Sequence, residues 1–452
     1  MRFHTDDAEL AVECASLAKA LGLDLDPVVH QNALAQAQAG IGPGTICALA
    51  LTRSPDPRSL VALGTVAQAA SARVALLVMP SEDSTIAQID LARDLGLIAV
   101  DETRPLLAAL ALLQGGAERP WAASLADLST MERSRFLPLS KLRQRGGGHW
   151  TRGAAGLSFA LSQGPDATPF PVGETRDAVA AVVALHAASG ATFRGGPELE
   201  GISKEGTVDT LFGPRRALSD PASKAVLAQY GVPSPTEELC ASPSRAASEA
   251  SRFGYPVRLA LVSPDLRIWD HPDLAVDRVD TGAQVRDLFR QMVASAGARQ
   301  DGARILGVTV GPAATERALL RVKAWPAGSQ KRVLMEIGFA DAHGLVTGDF
   351  THTVLPAPFA RLERVLGRLA GMELLFDDRA RDRRATIEAV GTALLRIARF
   401  VADHEEVVES VEVEPLVVLL DGSVEVREAS IQVSDAFERR LASPNDKVGE
   451  GP

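Results

Sequence analysis

A chain of 452 residues is longer than one ordinary domain, so two or three domains are expected. Hydrophobic residues make up 46% and charged residues 23%, which allows a sizeable core and excludes wholesale disorder. A formal charge of −10 gives no reason to expect nucleic acid or an anionic membrane as partner.

At the N-terminus, "MRFHTDDAEL" carries acidic residues where a secretion signal has its apolar core, so a cytoplasmic protein is expected. "ELAVECASLAKALGLDL" reads as a helix. From 45 to 113, strand and helix alternate. "TICALALT", "RVALLVMP" and "LIAVD" are apolar strand candidates. Between and after them, "DPRSLVALGTVAQAA", "STIAQIDLARDLG" and "TRPLLAALALLQGG" have helical spacing with start and stop residues. Such alternation implies a parallel sheet covered on both faces. The segment 114–215 reads as a linker or accessory region. It holds the basic, glycine-rich "MERSRFLPLSKLRQRGGGHW" and a helical stretch at 174–190, whose apolar run is too short to span a bilayer. From 216 to 435 the pattern is mixed: a helix in "DPASKAVLAQYGVPSP", then helix, turn and strand through "GYPVRLALV". A hairpin follows at Asp421-Gly422. Residues 436–452 read as a disordered polar tail. Cys14, Cys47 and Cys240 are widely spaced and form no CxxC pair and no metal spacing, so no disulfide framework is expected.

The run "LSDPASKAVLAQYGVPSPTEELCASPSRAASEASRFGYPVRLALVSPD" closely resembles the start of the ATP-grasp domain of the nucleoside-diphosphate-forming acyl-CoA synthetases, which include acetate–CoA ligases and relatives of succinyl-CoA synthetase. The resemblance continues in order through "GDFTHTVLPAP", "ARLERVLGRLAGMELL" and "VEVEPLVVLLDGSVEVREASI". It implies an α/β fold: a flavodoxin-like domain over 1–113, then an ATP-grasp fold of two α+β lobes over 216–435. It also implies a reaction in which ATP and magnesium phosphorylate a histidine, the phosphate passes to a carboxylate, and CoA captures the acyl phosphate. The family's CoA-binding domain has no counterpart in this sequence.

Carried over position by position, the family's site is eroded. The phosphate-gripping lysine falls on Ala260, and losing one charged hydrogen bond to phosphate costs about 1.5–3 kcal/mol. Arg258, two residues earlier, shares the strand face of Ala260 but sits ~7 Å away along the strand, and a solvated arginine is expected there. The family's adenine-facing Gln-Glu pair becomes Gly311 and Pro312. Its glycine-rich turn keeps only Gly338. In the later Lys-Asp…Arg…Pro pattern, the lysine falls on Gly348 and the arginine on Thr353, while Asp349 and Pro356 remain. The metal positions fall on Glu412 and Glu414, two carboxylates on one strand face that suit magnesium bridging phosphates; an exposed strand edge of alternating charge fits the same pattern. No phosphohistidine is identifiable, and His149 is the weak candidate.

Packing and turn positions are therefore kept, while the groups that grip phosphate are replaced. The expectation is a catalytically impaired acyl-CoA-synthetase-like protein that acts as a binding, regulatory or scaffold module, with a protein partner or a second copy of itself. The alternatives are an active ATP- and magnesium-dependent acid–CoA ligase with a rebuilt or partner-completed site, and a nucleotide sensor without turnover using Glu412, Glu414 and Asp349.

Overall fold

Short apolar strands alternating with amphipathic helices bury both sheet faces only when the strands run parallel. The computed structural model of the protein has that arrangement in its first half. It describes residues 1–20, 23, 25–79, 85–114, 149–153, 156–160, 170–173, 197–203, 207–327, 331–340, 349–376 and 380–435. The chain divides into two compact units, Met1–Phe193 and Arg194–Pro452. The helix expected at 174–190, the tail 436–452 and Gly348 lie outside the described residues.

The first unit holds a five-stranded parallel sheet of β1 (Arg2–Thr5), β2 (Asp26–Val29), β3 (Ile46–Leu51), β4 (Arg73–Val78) and β5 (Ile98–Val100). Their order, β2-β1-β3-β4-β5, is that of flavodoxin. Between the strands run α1 (Ala8–Ala20), α2 (Ala33–Ala39), α3 (Pro57–Ala69) and α4 (Thr85–Asp94), and α5 (Thr103–Gln114) follows β5. Helix α3 starts where the sequence suggests, with the Asp56 carboxylate accepting from the Ser59 N–H at 3.2 Å. One face of the sheet packs Phe3, Ala48, Ala75, Leu77 and Ile98 against Cys14 and Ala18 of α1 and Leu106 and Leu110 of α5. The sequence reading finds β3, β4 and β5 but misses β1 and β2. Strand β1 is four residues with His4 and Thr5 buried, and β2 is an edge strand opening on Asp-Pro. Neither shows apolar alternation. A separate antiparallel sheet follows in the same unit: β6 (His149–Gly153), β7 (Gly156–Ala160) and β8 (Phe170–Gly173).

The second unit opens with a short helix α6 (Thr207–Leu211), the two-residue strand β9 (Arg216–Ala217) and α7 (Asp220–Gln229), which Gly231 ends with φ +74. A small lobe follows. Its antiparallel sheet runs β10 (Glu238–Cys240), β13 (Gly307–Pro312), β11 (Val257–Val262) and β12 (Ala275–Val279), with α8 (Pro243–Phe253) and α9 (Gly282–Arg299) on one face. Val257, Leu259 and Leu261 of β11 point into that core. The period of two then sends Arg258 and Ala260 to the opposite face.

The large lobe is a seven-stranded sheet. Its main order is β16 (Phe350–Leu355), β15 (Val333–Phe339), β14 (Glu316–Pro326), β17 (Val408–Leu419), β19 (Ala429–Val433) and β9. Strand β18 (Val424–Val426) pairs with β17, closing the hairpin expected at Asp421-Gly422, where Gly422 has φ +83. One face of this sheet is covered by α7, α10 (Phe359–Leu366) and α11 (Ala380–Asp403) through Val322, Met335, Ile337, Val411 and Val413.

Candidate functional site

The outward face of β11 meets the β18–β19 connection of the large lobe, and there the charged side chains gather. Arg258 is 6% exposed. Its Nε donates to Asp277 Oδ1 of β12 at 2.9 Å, Nη2 donates to Glu428 Oε1, and Nη1 lies 3.8 Å from Glu237 Oε1. The solvated arginine expected from sequence is thus a buried one, held by carboxylates from three segments. Lys224 of α7 is also buried. Its Nζ reaches Asp220 at 2.7 Å, Glu237 at 2.6 Å and the Arg427 carbonyl at 2.8 Å. The third cation, buried Arg427, contacts Glu316 and lies 3.7 Å from Asp277 and 4.0 Å from Glu425. Asp220 also accepts the Ala429 N–H at 2.8 Å, which fixes α7 against β19.

Three cations therefore face six carboxylates, Asp220, Glu237, Asp277, Glu316, Glu425 and Glu428. The titration behaviour reflects burial first and the neighbouring charges second. Burial raises the Glu428 carboxyl to about 7, and Arg258 only partly offsets it. Burial likewise raises Asp220 and Glu425. Burial would pull Lys224 down, but Asp220 and Glu237 outweigh it and its pKa is raised.

The glycine and alanine positions have a packing role here. Ala260 is 2% exposed, and its carbonyl accepts from Thr309 Oγ1 at 3.2 Å. Gly311 is the cross-strand partner of Arg258, and Pro312 that of Val257. A Cβ on Gly311 would lie 2.8 Å from Glu237 Cγ and 3.2 Å from the Thr236 carbonyl. The missing side chain gives Glu237 room to lie on β13 and reach Arg258 and Lys224.

On the large sheet, Glu412 and Glu414 lie on the β17 face opposite core residues Val411 and Val413. Glu412 is held by Arg267 at 3.2 Å and Lys323 at 3.5 Å. Burial raises the Glu414 carboxyl, with Arg321 and Lys323 opposing. Beside them, Arg321 binds Glu336 at 2.7 Å, and His352 Nε2 lies 3.3 Å from the same carboxylate. Asp349 is elsewhere and engaged: its carboxylate accepts the N–H groups of Ala370 and Gly371, both at 2.8 Å. Gly338 is required by strand packing, since a Cβ there would sit 2.8 Å from the Asp349 carbonyl and 2.9 Å from Phe350 Cβ. Thr353 is buried opposite Met335, a core residue. His149 opens β6 in the first unit.

The candidates of the second unit thus separate into three places: the β11–β13 face, the β17 face, and the β15–β16 edge with Asp349 and Thr353; His149 is a separate candidate, on β6 of the first unit. The sequence reading misses Lys224, Glu237, Asp277, Arg427 and Glu428. Only Lys224 carries a local signal, its i,i+4 spacing from Asp220.

Residues 210–433 match the model of the ATP-grasp domain. This half of the chain is an ATP-grasp domain. A stretch of 216 residues, 46% of this chain, is 22% identical to the acetate–CoA ligase [ADP-forming] II subunit beta of Pyrococcus furiosus and covers 87% of it. A 208-residue match to the 4-hydroxybutyrate–CoA ligase [ADP-forming] of Nitrosopumilus maritimus is 23% identical and covers 29% of that protein. Among solved structures, the dinucleotide-forming acetyl-coenzyme A synthetase 1 of Ca. Korarchaeum cryptofilum, determined with coenzyme A and Ca-AMPCP, is 20% identical with a TM-score of 0.43, over 48% of this chain and 93% of that one.

ATP-grasp proteins suggest ATP and magnesium, so the donor set is tested against both. A triphosphate needs unpaired cations and backbone donors. At the β11 face, Ala260 offers a methyl group, Arg258 is shared among three carboxylates, and carboxylates outnumber cations two to one. That set does not fit a polyphosphate. Glu412 is neutralised by Arg267 and Lys323, and among the described residues no group of three or more His, Cys, Asp or Glu side chains could hold a metal ion.

Proposed function

We propose that this protein is a catalytically impaired relative of the ADP-forming acyl-CoA ligases, and that its ATP-grasp domain serves as a binding, regulatory or scaffold module. The observation that supports this is the outward face of β11. Where the resemblance puts a phosphate-gripping lysine there is Ala260, and the neighbouring Arg258 is committed to Asp277, Glu428 and Glu237. With Arg258, Lys224 and Arg427 each engaged by carboxylates, a triphosphate at this face has no unpaired cation to bind, and its own charge would have to displace those contacts.

A partner chain or a second copy of this chain is part of the same proposal, since the Pyrococcus relative is by its name one subunit of a larger enzyme. The direct test is turnover. Purified protein with ATP, magnesium, CoA and a panel of short carboxylates should release no ADP above background. Turnover on the order of 1 per second, ordinary for an enzyme, would overturn the proposal.

A further inference from the structure

In a two-lobed nucleotide enzyme, bound phosphate is what draws the lobes together. Here the same face carries cross-lobe contacts made entirely by the chain. Arg258 of the small lobe donates to Glu428 of the large lobe. Arg427 of the large lobe lies 3.7 Å from Asp277 of the small lobe. Arg267, just before a turn of the small lobe, donates to Glu412 on β17 at 3.2 Å. Glu237, on the connection between the lobes, is gripped by Lys224 on one side and faces Arg258 on the other. Gly311 leaves the space that lets Glu237 lie there. The connection is also pinned through its backbone, with the Val426 N–H donating to the Pro233 carbonyl at 2.8 Å.

We infer that these side chains form a built-in latch: the cation and carboxylate network centred on Arg258 holds the two lobes of the ATP-grasp domain closed without nucleotide, in the place where a bound polyphosphate would otherwise do so. The reason is geometric. A planar guanidinium with donors on three sides can bridge carboxylates from β12, from the lobe connection and from the β18–β19 turn at once, which an ammonium on the same strand cannot. A buried pair of this kind adds little net stability, but it specifies one arrangement, because separating the lobes leaves charged groups to be solvated again. The inference extends the impaired-ligase reading but does not depend on how tightly nucleotide binds, since it concerns the nucleotide-free protein.

The test reads lobe separation in the full chain. Spin labels are placed on the small lobe through Ala294→Cys and on the large lobe through Glu388→Cys, both exposed, while the three native cysteines are buried. The parent should give one narrow distance distribution without nucleotide, unchanged by Mg-ATP. Arg258→Lys should broaden it or add a longer distance, as it keeps charge and loses the fork. Asp277→Asn, at a side chain 66% exposed, should do the same to a lesser degree and keeps the test open if the buried variant folds poorly. A parent distribution that is broad without nucleotide and narrows with Mg-ATP overturns the latch, and so does one that neither variant alters. A narrow nucleotide-free distribution that Arg258→Lys broadens supports the latch even if calorimetry finds ATP bound; that result would count against the impaired-ligase reading alone.

Discussion

Ala260 and Arg258 stand two residues apart on one strand face, and single substitutions there have opposite meanings. Ala260→Lys places an ammonium at a buried position beside a strongly paired guanidinium. We expect it to lower stability and leave ATP binding undetectable, because a site eroded at several coupled positions is not repaired one position at a time. Calorimetry with Mg-ATP on parent and variant checks this, and tight binding by the variant would refute it. Arg258→Met removes the charge that Glu428, Glu237 and Asp277 share. Breaking one side of a buried pair costs about 3–5 kcal/mol, measurable by urea unfolding; a loss under ~1 kcal/mol would show that the network contributes nothing.

Glu428 supplies the pH dependence at this scale. Burial first, opposed by Arg258, raises its carboxyl in the folded chain to about 7, while unfolded it returns to ~4.3. Between those values the folded protein holds the proton and the unfolded one does not. The contribution of Glu428 is therefore full below ~4.3 and is lost as pH rises through 7. The groups facing it are Arg258 from β11 and Asp220 and Lys224 from α7. Glu428→Gln should remove this slope, so the stability difference between parent and variant should move in the variant's favour as pH rises through the window. A difference independent of pH would rule the titration out.

At the scale of elements, α3 packs closely against the end of α4. A Cβ on Gly64 would stand 2.9 Å from Leu95 Cβ and 3.3 Å from the Leu95 carbonyl. Gly64→Ala should therefore destabilise the first unit by about 1–3 kcal/mol, despite the better helix propensity of alanine. A thermal melt that stays level or rises would contradict this. The legibility of the sequence follows the same physics. Strands β3 to β5 and helices α3 to α5 are readable because each buries an apolar stripe at its own period. Strand β1 is not, since its buried side chains include His4 and Thr5 and its four residues are too few for a period. The ATP-grasp lobes are readable through their helix stops and the hairpin at Gly422. Their charged seam is not: Arg258 and Glu428 lie 170 residues apart, and Lys224 and the Arg427 carbonyl 203 apart. Nothing local distinguishes a buried arginine from a solvated one, so the sequence marks Arg258 as a candidate but not its surroundings. Gly311 is legible only as the replacement of a polar residue; its role in admitting Glu237 needs the strand pairing and the lobe connection together.

For the whole molecule, the test that joins these scales is linkage between ligand and unfolding. A ligand bound only by the folded state contributes about 2.7 kcal/mol when present at 100 times its Kd. In domains of 150–250 residues that corresponds to a rise on the order of 5–10 °C in Tm. An ATP-grasp domain with an open cleft and free phosphate donors should show such a rise with Mg-ATP. Here the inter-lobe face is filled by Arg258, Arg427 and Lys224 with their carboxylates, so the lobes are already closed by the chain itself. We expect the Tm to stay within ~1 °C when Mg-ATP, Mg-ADP or CoA is added. Raised salt tests the same network independently. Screening acts on exposed charges more than on buried ones, so the pair of Arg258 with buried Glu428 should resist it while contacts such as Arg267 with Glu412, one side of which is half-exposed, weaken. A chain whose melting is insensitive to nucleotide and only weakly sensitive to salt would have a seam built from its own side chains, whereas a nucleotide-dependent rise of several degrees would mean that phosphate still competes for that face.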